Sequence, residues 1–189
     1  MPEVARAAAA LAAGDLVLLP TETVAGLAAR ADDPSAVARI FAAKGRAPDK
    51  PLAVCVRDAA AAEGLAELCD VSRALMARHW PGPLTLVLPA KPTGLAPECL
   101  GGNGTTVALR CPDIVWREDL CVVPLALTSA NLSGRPSVAD VEQARADFPG
   151  VAAVPGAGDP SGRPSTIVSV VDGCVTTLRA GEIVIGPSL

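Results

Sequence analysis

Residues 124–138 read PLALTSANLSGRPSV, an apolar run, then a loop of hydroxyls, one Asn, one Gly and one Arg, and then the start of a helix pattern. A short apolar stretch bounded by turn residues predicts a buried strand over Pro124–Thr128, and Pro136 opens a helix predicted over Val138–Phe148. A strand running through a polar loop into a helix is the repeating step of α/β domains, whose ligands gather at such loops.

The same step recurs outward from this stretch. An Ala-rich helix is predicted over 3–13 and ends at Gly14, and Leu16–Leu19 forms a strand stopped by Pro20. Asp33-Pro34 opens a helix that closes at Lys44-Gly45, and Pro51–Val56 forms the next strand. One or two helices follow over 58–78, a Trp-Pro-Gly-Pro turn at 80–83, and a strand over Leu84–Leu88. Residues 91–104 are rich in Pro and Gly and are predicted to form an irregular loop. Thr106–Arg110, Thr166–Val171 and Val175–Leu178 complete the strands. The pattern predicts one α/β domain over 1–189, built on a mixed sheet.

Composition narrows the class. The 189 residues are 50% hydrophobic, with two Trp, two Phe and no Tyr, and 19% charged with a net charge of -4. No apolar run approaches the roughly 20 residues that span a bilayer. An acidic balance disfavours a protein devoted to gripping nucleic-acid phosphates, which needs Lys or Arg for each phosphate neutralised. Six cysteines at 55, 69, 99, 111, 121 and 174 contain no C-x-x-C pair, and the single His79 offers no zinc spacing. They read as reduced core thiols of a cytoplasmic protein. The Met-Pro-Glu start lacks the basic cluster of a secretory signal.

Scarcity points to chemistry. Only three lysines occur, and Lys44 and Lys50 flank Arg46 within KGRAPDK, an anion-site pattern that a helix C-terminus would also stabilise without a ligand. Ser129 and Asn131 stand in the loop quoted first, with Ser137 beyond them. Thr21, Glu22 and Thr23 follow the first strand; Arg110 and Arg179 end strands, and Ser165 opens one. Polar groups at several strand ends are what a pocket requires. P-loop, dinucleotide and nucleophile-elbow motifs are all missing.

Taken in order, PTETVAGL, KGRAPDKPLAV, WPGPLTLVL, TVALRCPD, TSANLSGRPS, PSTIVSV and LRAGEI resemble the YrdC family over about residues 16–185. The resemblance implies a twisted open sheet with a concave, basic cavity, in the short form without a further C-terminal domain. It implies synthesis of L-threonylcarbamoyl-AMP from ATP, L-threonine and bicarbonate, with magnesium on the ATP and pyrophosphate released. The product then serves a separate transferase acting on adenosine 37 of ANN-decoding tRNAs. The resemblance places Lys44 and Arg46 at the reacting phosphates as catalytic residues. Lys50, Thr106, Ser129, Asn131, Ser137 and Arg179 join them around ATP. Thr21, Thr23, Cys55, Arg110 and Ser165 fall on the threonine side, Arg110 facing the carboxylate. No residue is implied as a metal ligand. Two departures stand out: Ala25 where many members have an aromatic, and Cys55 where many have a histidine. Two other readings stay open, a related enzyme making another acyl adenylate such as carbamoyl adenylate, and a non-catalytic RNA-binding module; weak RNA binding is a partner contact compatible with the threonylcarbamoyl-AMP reading.

Overall fold

The computed structural model describes residues 2–47, 50–156 and 159–186. Its order is α1 (Pro2–Ala12), β1 (Val17–Leu19), β2 (Gly26–Arg30), α2 (Pro34–Lys44), β3 (Ala53–Cys55), α3 (Ala59–Glu63), α4 (Asp70–His79), β4 (Leu84–Pro89), β5 (Leu100–Gly101), β6 (Thr106–Arg110), α5 (Arg117–Leu120), β7 (Leu125–Ser129), α6 (Val141–Ala144), β8 (Ala152–Ala153), β9 (Thr166–Val171) and β10 (Cys174–Arg179). Among the described residues one mixed sheet runs β10-β9-β4-β6-β3-β7-β2-β1-β8, with β5 attached to β6. The parallel pairs are β3 with β6, β4 with β9 and β1 with β8.

Several elements depart from the sequence reading. Gly26–Arg30 was not expected to be a strand, yet β2 lies between β1 and β7, with its first four residues fully covered. Gly-Leu-Ala-Ala carries no β-branched side chain and no alternation, and a strand buried on both faces needs neither. Val138–Phe148 contracts to the single turn α6, because Asp140 is the true cap, its carboxylate accepting from Glu142 N. The loop at 91–104 contains β5, and α5 and β8 are additional short elements. The helix start at Asp33-Pro34 behaves as read: Asp33 accepts from Ser35 N and Ala36 N, and Gly45, at φ 60°, closes the other end.

Alternation along the strands builds two apolar layers. On one face Leu27, Val54, Leu86, Leu109 and Ala126 join Val37 and Ile40 of α2. On the other face Leu19, Ala28, Cys55, Leu125 and Leu127 are covered by Val4 and Leu11 of α1 and by Trp116 and Leu120. This second cover stops short. Thr106 and Ala108 of β6, Val87 of β4, and Ile167 and Ser169 of β9 alternate with fully buried neighbours but are themselves only half-buried. Half of one sheet face is thus left uncovered.

Candidate active site

The uncovered face has two polar ends. Arg110 ends β6, and in register beside it lie Cys55 of β3 and Thr85 of β4, the latter next to Ile167 of β9. Arg110 Nη2 donates to Glu22 Oε1 at 2.8 Å and to Thr23 Oγ1 at 2.9 Å. The Thr23 and Thr21 hydroxyls are 2.9 Å apart, and Thr21 Oγ1 donates to Val24 O. The segment is tied down by Ala25, whose carbonyl accepts from Ala130 N and whose N–H donates to Val138 O, and by Trp116 Nε1, which donates to Pro20 O. Glu22 Oε2 and Arg110 Nε are buried with no hydrogen-bond partner.

Ser165 Oγ lies 2.9 Å from Thr85 Oγ1, and Arg179 Nη2 donates to Ser165 O at 2.7 Å and to Ser165 Oγ at 3.1 Å. Desolvation and then the neighbouring Arg110 charge hold Arg179 below its ordinary pKa. A β-bulge brings it here. Thr177 pairs with Val168, yet Ile167 pairs with Arg179, so Leu178 is the extra residue. Without it Leu178 would take the place beside Ile167 and Arg179 would point to the opposite face. Arg179, assigned by resemblance to the nucleotide, therefore stands in the Arg110 group.

The other end lies where β6 begins, with Thr106 four residues from Arg110, about 13 Å along the strand. Lys44, last residue of α2, is buried to 3% exposure. Its ammonium donates to the carbonyls of Ser129 and Asn131, while its own carbonyl accepts from Ser133 N. Desolvation, followed by the Arg46 charge, lowers its pKa to about 8. The expected phosphate ligand is thus a tie between helix and loop, because two carbonyl oxygens already take the place of water around it. Asn131 Nδ2 donates to Leu132 O and Arg135 O, fixing the turn, and its Oδ1 is buried without a donor. Arg46 follows the helix cap, stacks 6.0 Å from the Phe41 ring and donates to Lys50 O. Lys50 and Ser137 are exposed; Pro48 and Asp49 of the basic segment lie outside the described residues.

Cys55 does not line the pocket. It is fully buried under Trp116 in the apolar layer, and burial pushes its thiol up to about 12 against the partial relief of Arg110. Ala25 is likewise fully buried. Glu22 was noted at the first strand end but given no role, and Thr85 was not singled out at all. Glu22 stood in view between two threonines, but Thr85 is a mid-strand residue that only strand register places beside Arg110. Chemically, one end offers a guanidinium with hydroxyls and a carboxylate, suited to a small zwitterion. The other offers cations, hydroxyls and an open amide oxygen, suited to a nucleotide.

Residues 9–181 match the model of the Sua5/YciO/YrdC family, which carries the description telomere recombination. The threonylcarbamoyl-AMP synthase of Bacillus subtilis is 41% identical over 98% of this chain, which spans only 57% of that relative's length. The synthase of the same name from Chromohalobacter salexigens is 39% identical, covering 93% of this chain and 96% of its own. The crystal structure of Pyrococcus abyssi Sua5 complexed with L-threonine superposes with a TM-score of 0.86 at 38% identity, covering 94% of this chain and 54% of that one. With the family pattern matched across nearly all of the sheet, the chain belongs to the Sua5/YciO/YrdC family.

Proposed function

We propose that this protein forms L-threonylcarbamoyl-AMP from L-threonine, bicarbonate and ATP, releasing pyrophosphate. The observation that carries this reading is the likeness, at 38% identity, to a Sua5 structure complexed with L-threonine, together with the hydroxyl-lined Arg110 group at one end of the open face. Threonine's amino group condenses with bicarbonate to a carbamate, losing water and a proton. A carbamate oxygen then attacks the α-phosphorus of ATP, and the bond to the β,γ-pyrophosphate breaks. Arg110 holds the amino-acid carboxylate, with Thr21, Thr23 and Ser165 orienting the small side chain and amino group. Arg46 and Lys50 meet the phosphates, while Thr106, Ser129, Asn131 and Ser137 hold the nucleoside. Lys44 contributes by fixing the loop that carries Ser129 and Asn131.

Among the described residues no three His, Cys, Asp or Glu side chains come together as a metal cage. Magnesium would come as a companion of the triphosphate, where it would neutralise charge on the departing pyrophosphate. A cytoplasmic setting and delivery of the product to a tRNA-modifying transferase, with at most weak RNA contact by this chain, complete the reading. No helix among the described residues is long and apolar enough to cross a membrane.

The test is pyrophosphate release by the purified chain, with the adenylate product identified by mass. Release should require threonine and bicarbonate together. Release that instead follows carbamoyl phosphate, or nucleotide-independent RNA binding with no turnover at all, would overturn it.

A further inference from the structure

A cavity of about 340 Å³ opens on the molecule at a place the open face does not reach. It lies beyond the carboxyl ends of the parallel strands β3 and β6, where Val56 N continues the ladder to Arg110 O and the chain then runs into Arg57-Asp58 and Cys111. Crevices outside the carboxyl ends of parallel strands are where open α/β sheets hold ligands, and the volume falls within the range of about 300–1,000 Å³ typical of small-molecule sites. Leu68, Met76, Ala77 and Trp80 make one apolar wall, and Cys111, whose thiol donates to Arg57 O, closes the base. Burial pushes that thiol up to about 11, so it adds no charge.

The rim carries Arg57, Arg73 and Arg117 against Asp58 and Glu118. Arg117 is the fixed member: its side chain is 14% exposed, Nη1 donates to Pro112 O at 2.8 Å, and Nε is buried with no acceptor. Among the described residues its ion-pair partner is Glu118, which is 64% exposed, with the Asp113 charge farther off. An exposed counterion of this kind contributes little and exchanges readily for another anion.

We propose that this cavity is a second ligand site, separate from the nucleotide and amino-acid face, that takes a small organic anion. Its flat apolar body lies against Trp80 and Met76, and its anionic group replaces Glu118 on Arg117. Arg110 and Cys111 are consecutive, so a single peptide link separates this site from the proposed substrate carboxylate site.

The probe is 8-anilinonaphthalene-1-sulfonate, titrated into the whole protein and read by dye fluorescence and by quenching of Trp80. One saturable site per chain is expected, with affinity unchanged by saturating ATP. Ala77→Phe, a change at an exposed helix position that fills the cavity, should weaken it about tenfold, and so should Arg117→Met, which removes a charge-assisted contact. N-phenyl-1-naphthylamine, which lacks the sulfonate, should bind wild type about tenfold more weakly. Displacement by ATP, an affinity untouched by Ala77→Phe, or equal binding of the two dyes would each overturn the proposal. Because no readout is turnover, the result does not depend on which adenylate the enzyme makes.

Discussion

A buried ammonium is stable only where oxygen atoms stand in for its lost water, and Lys44 has the carbonyls of Ser129 and Asn131. Lys44→Met should leave these acceptors without their donor at a cost of roughly 1–3 kcal/mol, read by urea unfolding, and should weaken ATP binding in a direct titration. The sign with pH follows from the lowered pKa. Between about 8 and the ordinary 10.5 the unfolded chain binds more protons at this residue than the folded one, so stability rises with pH across that window. The stability difference between wild type and Lys44→Met should therefore grow from pH 8 to 10 and stay flat below pH 7. Arg110 behaves differently, as half of a pair. Arg110→Gln should raise the threonine concentration needed for turnover about tenfold or more and destabilise the fold by about 1–3 kcal/mol, since Glu22 loses its partner. Adding Glu22→Gln should restore stability without restoring threonine saturation, which separates recognition from folding. Scarce lysines and strand-end arginines made the two polar ends visible in the sequence. What each side chain touches was not visible, because the bonds of Lys44 to 129 and 131 and of Arg110 to 22 and 23 each link residues 85 to 88 positions apart.

Strands and helices with strong local signals were legible as elements: Asp33-Pro34 to Gly45, the apolar 84–88, and the β-branched run at 166–171. Those specified by their neighbours were not. β2 is a strand because β1 and β7 flank it, and the bulge at Leu178 follows from the pairing of β10 with β9, which no local residue announces. Gly181 shows how tightly this corner is built: a Cβ there would lie 2.4 Å from both Pro164 O and Ser165 C. Gly181→Ala must therefore displace the backbone that carries Ser165. Loss of turnover comparable to Ser165→Ala, with secondary structure retained by circular dichroism, is the expected result. Arg179→Ala should lower turnover by withdrawing the guanidinium from Ser165, whereas deleting Leu178, which removes the bulge and leaves Arg179 opposite Ile167, should cost much less.

At the scale of the molecule, one apolar layer runs under the sheet from β1 to β9, leaving only β10 exposed, while the other covers about half of its face, so the sheet carries its binding surface as an unfinished side. The overall class was legible because burial pattern and turn residues fix it. The half-covered face was not, since it depends on where α1 and Trp116 stop. Ligands that fill this side should act as missing cover. ATP with magnesium at a hundredfold excess over its dissociation constant should add about 2.7 kcal/mol to unfolding, read as a concentration-dependent rise in melting temperature. Threonine alone should protect mainly amides near Arg110 in hydrogen exchange.

The order of strands across the sheet also carries a timetable. Ser165 and Arg179 sit on the far flank with β9 and β10, whereas Thr23, Arg110 and Asn131 belong to strands and loops that precede them in the chain. On a ribosome the inner strands can associate while the segment that completes the site is still unmade. A message cut short before codon 165 would thus yield a polypeptide with most of its sheet and no working centre, a competitor for chaperones rather than a weak enzyme.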